Sequence, residues 1–295
     1  MFGKDIRNFS IYPHVRGHRL RQLRAGSYTH IYKDQVMGSS TLQGKLWGLE
    51  AKDWAELTEP VHKPLWKRML DAAAVSQRTR FLDAGCGGGG ASVLAAERGA
   101  QVSGLDAAEP LIRIAQARIP DGDFRTGDME ALPYEDETFE AIIASQSLQY
   151  TTDRLVALGE LRRVCASGGR VVVGLWSTPD KVEFRVFFKA VGNSLPEPPS
   201  GDGSFGLSAP GKLESLMEQA GLQVLNSDEV NCPLYFPNYE AFWQAQKAGG
   251  PVQGALHSVI EEKLKKAVEL AVEPFQASDG SIHMDNQIRY VMATR

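Results

Sequence analysis

Apolar residues along the chain fall into two recurring blocks, short extended runs and longer stretches with helical spacing. The extended runs are residues 79–84, 101–106, 123–125, 139–145, 170–176, 222–230 and 287–293. Between them apolar positions return every three or four residues, as at Leu111, Ile112 and Ile114 or Leu155, Leu158 and Leu161, which gives each helix one apolar face. The run 139–145 (FEAIIAS) is apolar almost throughout, as a strand buried on both faces must be. Strands alternating with helices predict an α/β fold with a doubly wound, mostly parallel sheet. The punctuation agrees. Pro110 stands in a first helical turn, Asp153 before another helix, and Gly168-Gly169 and Gly221 after helices. Two helical stretches precede the first strand, one from Leu46 and a second starting at Thr58-Glu59-Pro60. After Trp176 the alternation loosens. Residues 182–191, 210–220 and 256–272 read as helices and 197–208 as a turn-rich connection. A segment at about 231–256, carrying Tyr235, Phe236, Phe242 and Trp243, reads as a cap insertion.

The first strand runs straight into Asp83-Ala84-Gly85-Cys86-Gly87-Gly88-Gly89-Gly90, and a helical pattern follows at once. Strand, glycine turn and helix open a nucleotide-binding βαβ unit. Glycines serve there because the backbone turns sharply and a ligand approaches with no Cβ in the way. The spacing alone leaves the ligand open. Gly85, Gly87 and Gly90 satisfy the dinucleotide pattern G-x-G-x-x-G, while Gly85, Gly87 and Gly89 satisfy G-x-G-x-G.

Composition narrows the classes. A hydrophobic share of 43% supports a sizeable core, and a formal charge of -4 gives no case for general nucleic-acid affinity. The charge is uneven. Residues 1–45 hold eight Lys/Arg against Asp5 and Asp34, and read as a basic N-terminal arm preceding a domain of residues 46–295. No apolar run is long enough for a membrane span. Cys86, Cys165 and Cys232 are far apart, and the six histidines show no metal-ligand spacing, so no metal is expected. The cysteine usage suits a reducing, cytoplasmic setting; the Arg-rich arm leaves organellar targeting open.

In an open α/β sheet the ligand sits at the carboxyl ends of the strands. Those ends carry the glycines, then Asp106, then Asp128-Met129. Asp106 stands roughly twenty residues past the first glycine, where a carboxylate accepts from ribose hydroxyls. Asp128 is placed to accept from an adenine amino group while the N–H of Met129 donates to the ring; alone, an Asp after a Gly is more often a turn residue.

With these residues in register, the sequence resembles the class I S-adenosylmethionine (SAM) methyltransferases, in their small-molecule branch of ubiquinone/menaquinone type. The resemblance covers about residues 46–295 and is strongest over 79–176. It rests on Asp83 to Gly89, on Asp106, on Gly127 to Pro133 (GDMEALP), and on Glu160, Arg163, Val164, Gly168, Gly169 and Arg170. It implies a seven-stranded sheet of order 3-2-1-4-5-7-6 with strand 7 antiparallel. It implies SAM as cofactor, held by Asp83, Gly85, Gly87, Gly89, Asp106, Asp128, Met129 and Ser145. The segment after the fourth strand, Ser145-Gln146-Ser147-Leu148-Gln149-Tyr150, lacks the N-P-P-Y of amide methyltransferases acting on DNA or protein.

A small, mostly apolar or aromatic acceptor is expected, with no nucleic-acid partner. Trp47, Trp54, Gln146, Tyr150, Tyr235 and Trp243 are the candidate acceptor contacts. For the aromatic residues among them, packing in a second small core is the competing reading. Two further alternatives stand at this stage, a methyltransferase-like binding domain without catalysis and an NAD-dependent oxidoreductase. The atom methylated, any general base and the oligomeric state are not legible.

Overall fold

The computed structural model describes residues 39–197 and 203–295. Nine strands follow in chain order: β1 (Arg80–Ala84), β2 (Gln101–Asp106), β3 (Asp123–Thr126), β4 (Phe139–Ser145), β5 (Cys165–Trp176), β6 (Gln223–Asn231), β7 (Leu234–Phe236), β8 (Ile282–Met284) and β9 (Gln287–Thr294). Seven form one sheet of order β3-β2-β1-β4-β5-β9-β6, and β7 pairs with β8 in a separate ribbon. β1 to β5 run parallel, and β9 lies antiparallel between β5 and β6. This is the expected order, its final strand in the expected direction. The sheet ends in β3, which is short, and β6, whose side chains are mostly exposed and polar, and both features protect an open edge.

The helices are α1 (Ser39–Gly48), α2 (Ala51–Asp53), α3 (Lys63–Ala72), α4 (Gly90–Glu97), α5 (Glu109–Arg118), α6 (Arg154–Val164), α7 (Arg185–Ser194), α8 (Lys212–Gln219), α9 (Tyr239–Lys247), α10 (Gly250–Ala255) and α11 (Glu261–Val272). Successive strand residues face opposite sides, so each central strand feeds two cores. Phe81, Ile143 and Val172 pack with α3, α4 and the cap helices. Leu82, Ile142, Val171 and Val173 pack with α6 and α8. The caps follow the sequence. Asp153 Oδ1 accepts from the N–H groups of Leu155 and Val156, and Gly221, at φ +83, stops α8.

Three local expectations change. Gly168-Gly169 do not end a helix. α6 stops at Val164, and both glycines lie inside β5, which meets β4 with a register shift and holds Gly168 at φ +72. Thr58-Glu59-Pro60 does not start a new helix either. α2 passes through a π-helical turn (Trp54–Thr58) and a 3-10 turn (Glu59–His62) into α3, and Pro60, which lacks an N–H, fits the tight turn. The expected arm of residues 1–45 lies outside the described residues up to 38. Its last residues belong to α1, which crosses the 45/46 boundary.

The interruption after β6 is longer than 231–256. β7 finds its partner only at β8, so everything from Cys232 to Asn286 is inserted between β6 and β9. Together with α7, this insertion covers the carboxyl ends of the strands from one side, and α1 to α3 cover them from the other.

Trp243 belongs to the core of that insertion. It is 4% exposed, and its Nε1 donates to Glu261 Oε1 at 3.4 Å. Trp243→Ala is therefore expected to cost about 3–5 kcal/mol of stability. Denaturant unfolding checks the loss, and ligand affinities of the folded fraction should stay unchanged.

Candidate active site

A cavity opens where the first five strands end. Its open space is about 1450 Å³, mouth included. Its walls divide into a glycine-and-carboxylate half and an aromatic half.

The first half is built on the turn after β1. Gly85, Gly87 and Gly89 all have positive φ. A Cβ on Gly85 would come within 2.3 Å of Ser147 Cβ, so the turn tolerates no side chain there. Asp83, 1% exposed, accepts from Ser92 Oγ at 2.8 Å. Asp106 uses one oxygen for the Gly87 N–H (2.9 Å) and the other for the Ala108 N–H (2.8 Å). Asp128 Oδ1 accepts from the Glu130 N–H at 2.9 Å, so this residue both makes a turn and lines the cavity. Met129 is a buried wall beside it, and Ser145 accepts from Trp66 Nε1 at 3.1 Å.

Burial raises the carboxyl groups here. Asp83 is pushed up to about 7 by desolvation, against the lowering effect of the Ser92 hydrogen bond and with Glu59 and Asp106 adding to the rise. Glu59 reaches about 7 for the same first reason, although Arg118 pulls it down. Asp106 is raised by desolvation against three backbone hydrogen bonds.

The second half is a connected set of rings. Trp47 meets Trp54 edge-on at 4.5 Å and Tyr150 at 5.4 Å. His62 lies 6.0 Å from Trp66 and 6.4 Å from Trp176, which continues into Phe184 and Phe188. Enclosure lowers His62 to about 4, and desolvation raises Tyr150 to about 12, so both are neutral near pH 7. Two amides interrupt the rings. Gln149 Nε2 donates to Gln146 Oε1 at 3.3 Å, while Gln146 Nε2 and Gln149 Oε1 are buried with no partner among the described residues. Gln146 holds φ +56, which is rare outside glycine and marks stored strain.

The cavity thus gathers Asp83, Gly85, Gly87, Asp106, Asp128, Met129, Ser145, Trp47, Trp54, Gln146 and Tyr150. Three expected residues lie elsewhere. Gly89 faces Ala115 of α5, where a Cβ would sit 3.0 Å away, so it serves helix packing. Tyr235 is 58% exposed because side chains alternate along β7, and it is Leu234 that reaches the cavity. Trp243 is in the core described above. Residues outside the expected contact set complete the walls: Glu59, His62, Trp66, Gln149, Trp176, Phe184 and Phe188. One signal was present, since Trp54, Thr58, His62 and Trp66 recur every four residues along one helical face and all line the cavity. Ser39, Ser40 and Gln43 of α1 line it as well, although they fall inside the expected arm.

A family model described as a methyltransferase domain matches residues 82–173. A demethylmenaquinone methyltransferase of Thermus thermophilus is 34% identical over 177 residues, which are 54% of this chain and 80% of that protein. The chain belongs to the class I SAM-dependent methyltransferases. A second relative, the demethylmenaquinone methyltransferase of Renibacterium salmoninarum, is 35% identical over 124 residues, 42% of this chain and 52% of its own length. The chain thus spans about half the length of that relative. Among solved structures, the YcgJ protein of Bacillus subtilis superposes with a TM-score of 0.56 at 17% identity, covering 78% of this chain and 97% of that one. That likeness is one of fold.

The glycine half of this methyltransferase fits SAM chemically. Glu59, Asp83 and Asp106 lie together, and of the three only Glu59 pairs with a guanidinium, that of Arg118, so the site is short of positive charge, and SAM brings a sulfonium and an ammonium. Among the described residues, no group of three His, Cys, Asp or Glu side chains is arranged to hold a metal ion. No helix there is long and apolar enough to cross a membrane.

The raised carboxyls set a pH dependence. A carboxyl with a folded pKa above its unfolded one favours folding fully below the unfolded value, and that contribution is lost as pH rises through the folded value. For Glu59 the window runs from 4.5 to about 7, and for Asp83 from 3.8 to about 7. The ligand-free protein should therefore melt lower near pH 7.5 than near pH 5.5. SAM, which favours the ionised carboxylates, should bind several-fold tighter at the higher pH. Calorimetry and thermal melts check both, and Asp83→Asn, already neutral, should flatten both curves.

Proposed function

We propose that this chain transfers the methyl group of SAM to a small, mostly apolar or aromatic acceptor by in-line displacement. The observation that carries the reading is the division of one cavity into a carboxylate-rich glycine half and a ring-lined half. Among the described residues that line it there is no Lys or Arg, which favours an acceptor that carries no phosphate. The demethylmenaquinone methyltransferases among its relatives support a small ring-bearing acceptor.

In this reading Asp106 accepts from the ribose hydroxyls, and Asp128 with the Met129 N–H receives the adenine edge. Gly85 and Gly87 let the methionine portion lie against the backbone, with Asp83 and Ser145 beside it. SAM supplies a methyl already activated on a sulfonium, so the protein's work is positioning and the exclusion of water. Trp47, Trp54, His62, Trp66 and Tyr150 supply that exclusion, and the amides of Gln146 and Gln149, each with an atom unpaired among the described residues, give a polar group of the acceptor something to bind. Among the described residues the titratable groups facing the rings are weak bases: His62 is lowered to about 4, and Tyr150 stays protonated to about 12. This suits an acceptor whose nucleophilic atom needs little help in losing a proton.

The test is formation of S-adenosylhomocysteine with candidate ring acceptors present. Tight SAM binding with no turnover across such a panel would favour a binding domain without catalysis. Asp106→Ala should weaken SAM binding by about 1–3 kcal/mol, roughly ten- to a hundredfold, in calorimetry of the folded variant. Trp54→Ala should instead move acceptor KM or kcat and leave SAM affinity nearly unchanged. Equal losses of SAM binding in both variants would count against the two-half division.

A further inference from the structure

The residue that ties the two halves together is Glu59. It is 4% exposed and belongs to the 3-10 turn between the π turn and α3. Its Oε1 accepts from the Gly88 N–H at 2.5 Å, and its Oε2 accepts from Arg118 Nη1 at 2.7 Å. The same Nη1 also donates to the Gly88 carbonyl at 2.8 Å, and Nη2 donates to the Ala55 carbonyl at 2.9 Å. Both polar groups of the Gly88 peptide are thus held by one ion pair, whose other contact is the covering helix.

The run of glycines follows from this approach. A Cβ on Gly87 would meet Glu59 Oε1 at 2.7 Å, one on Gly88 would meet Ala55 Cβ at 2.8 Å, and one on Gly90 would meet Trp66 Cη2 at 2.4 Å. On this side of the turn the side chains are excluded by the covering segment. The segment that presses on the loop is also the one that carries Trp54, His62 and Trp66 into the aromatic half.

The geometry points to Glu59 and Arg118 as positioning residues that fix the glycine loop in its cofactor-receiving shape and couple cofactor binding to closure of the acceptor wall. The inference rests on the reading of this loop as the SAM site. Coupling of this kind is reciprocal: whatever orders the loop favours the docked segment, and a docked segment favours the ligand.

The experiment uses the full chain and S-adenosylhomocysteine (SAH) as probe. Calorimetry gives its affinity, and hydrogen exchange with and without SAH gives the protection of residues 51–72 and of 83–90. In the wild type SAH should slow exchange in both segments. Arg118→Met should weaken SAH about ten- to a hundredfold and abolish the SAH-induced protection of 51–72 while leaving that of 83–90. Glu59→Gln, which keeps an oxygen for the Gly88 N–H, should fall between wild type and Glu59→Ala. A merely structural role would speed exchange in 51–72 with and without ligand alike and leave the SAH-induced difference intact. Affinities within twofold of wild type, with the SAH-induced protection of 51–72 unaltered, would overturn the coupling even in Arg118→Met alone. If the wild type itself bound no SAH, the cofactor reading would fall and this inference with it.

Discussion

Three carboxyl groups, from Glu59, Asp83 and Asp106, converge on one glycine turn with a single guanidinium among them. Burying carboxylates is unfavourable unless hydrogen bonds and opposite charges compensate. Here the turn provides part of the compensation through the N–H groups of Gly87 and Gly88, and the start of α5 adds that of Ala108; all three point at carboxylate oxygens. The rest is left to protonation or to a cationic ligand. The backbone geometry of the turn, the covering segment on one side and the cofactor on the other are therefore set by the same electrostatic constraint.

The aromatic half obeys a different one. Its rings are fixed by each other, edge to face, and by single polar contacts such as Trp47 Nε1 to Gln43 Oε1 at 3.0 Å and Trp66 Nε1 to Ser145 Oγ. Ser145 ends β4, and Trp66 belongs to α3. That hydrogen bond joins the floor of the cavity to its cover, as the Glu59–Arg118 pair does at the other end.

How much of this was legible in the sequence depends on the range of the forces involved. The sheet was legible because period-two burial and short apolar runs are local signals, and even the glycines and Asp106 carry their meaning in their own strand ends. Trp47, Trp54, Gln146 and Tyr150 line the cavity because they flank those ends. Glu59 and Arg118 were not legible. Each reads as an ordinary surface charge, and only the crossing of a helix that shifts from α to π to 3-10 brings them together over Gly88. Tyr235 and Trp243 misled for a related reason. An aromatic-rich stretch signals that something is enclosed, but the side facing the cavity is set by the pairing of β7 with β8 and by the packing of α9, both decided by residues beyond the stretch.

The strands that build the glycine half, β1 to β5, are contiguous, and the match to the methyltransferase domain ends within them, at residues 82 and 173. Apart from Gln146, Gln149 and Tyr150, the ring-lined half is drawn from what lies outside: α1 to α3 before, Trp176, α7 and the insertion after β6 behind. Selection acting on acceptor choice can thus rewrite the two flanks while the middle keeps its chemistry. The descent of such proteins should be traceable through the middle and their diversification through the ends.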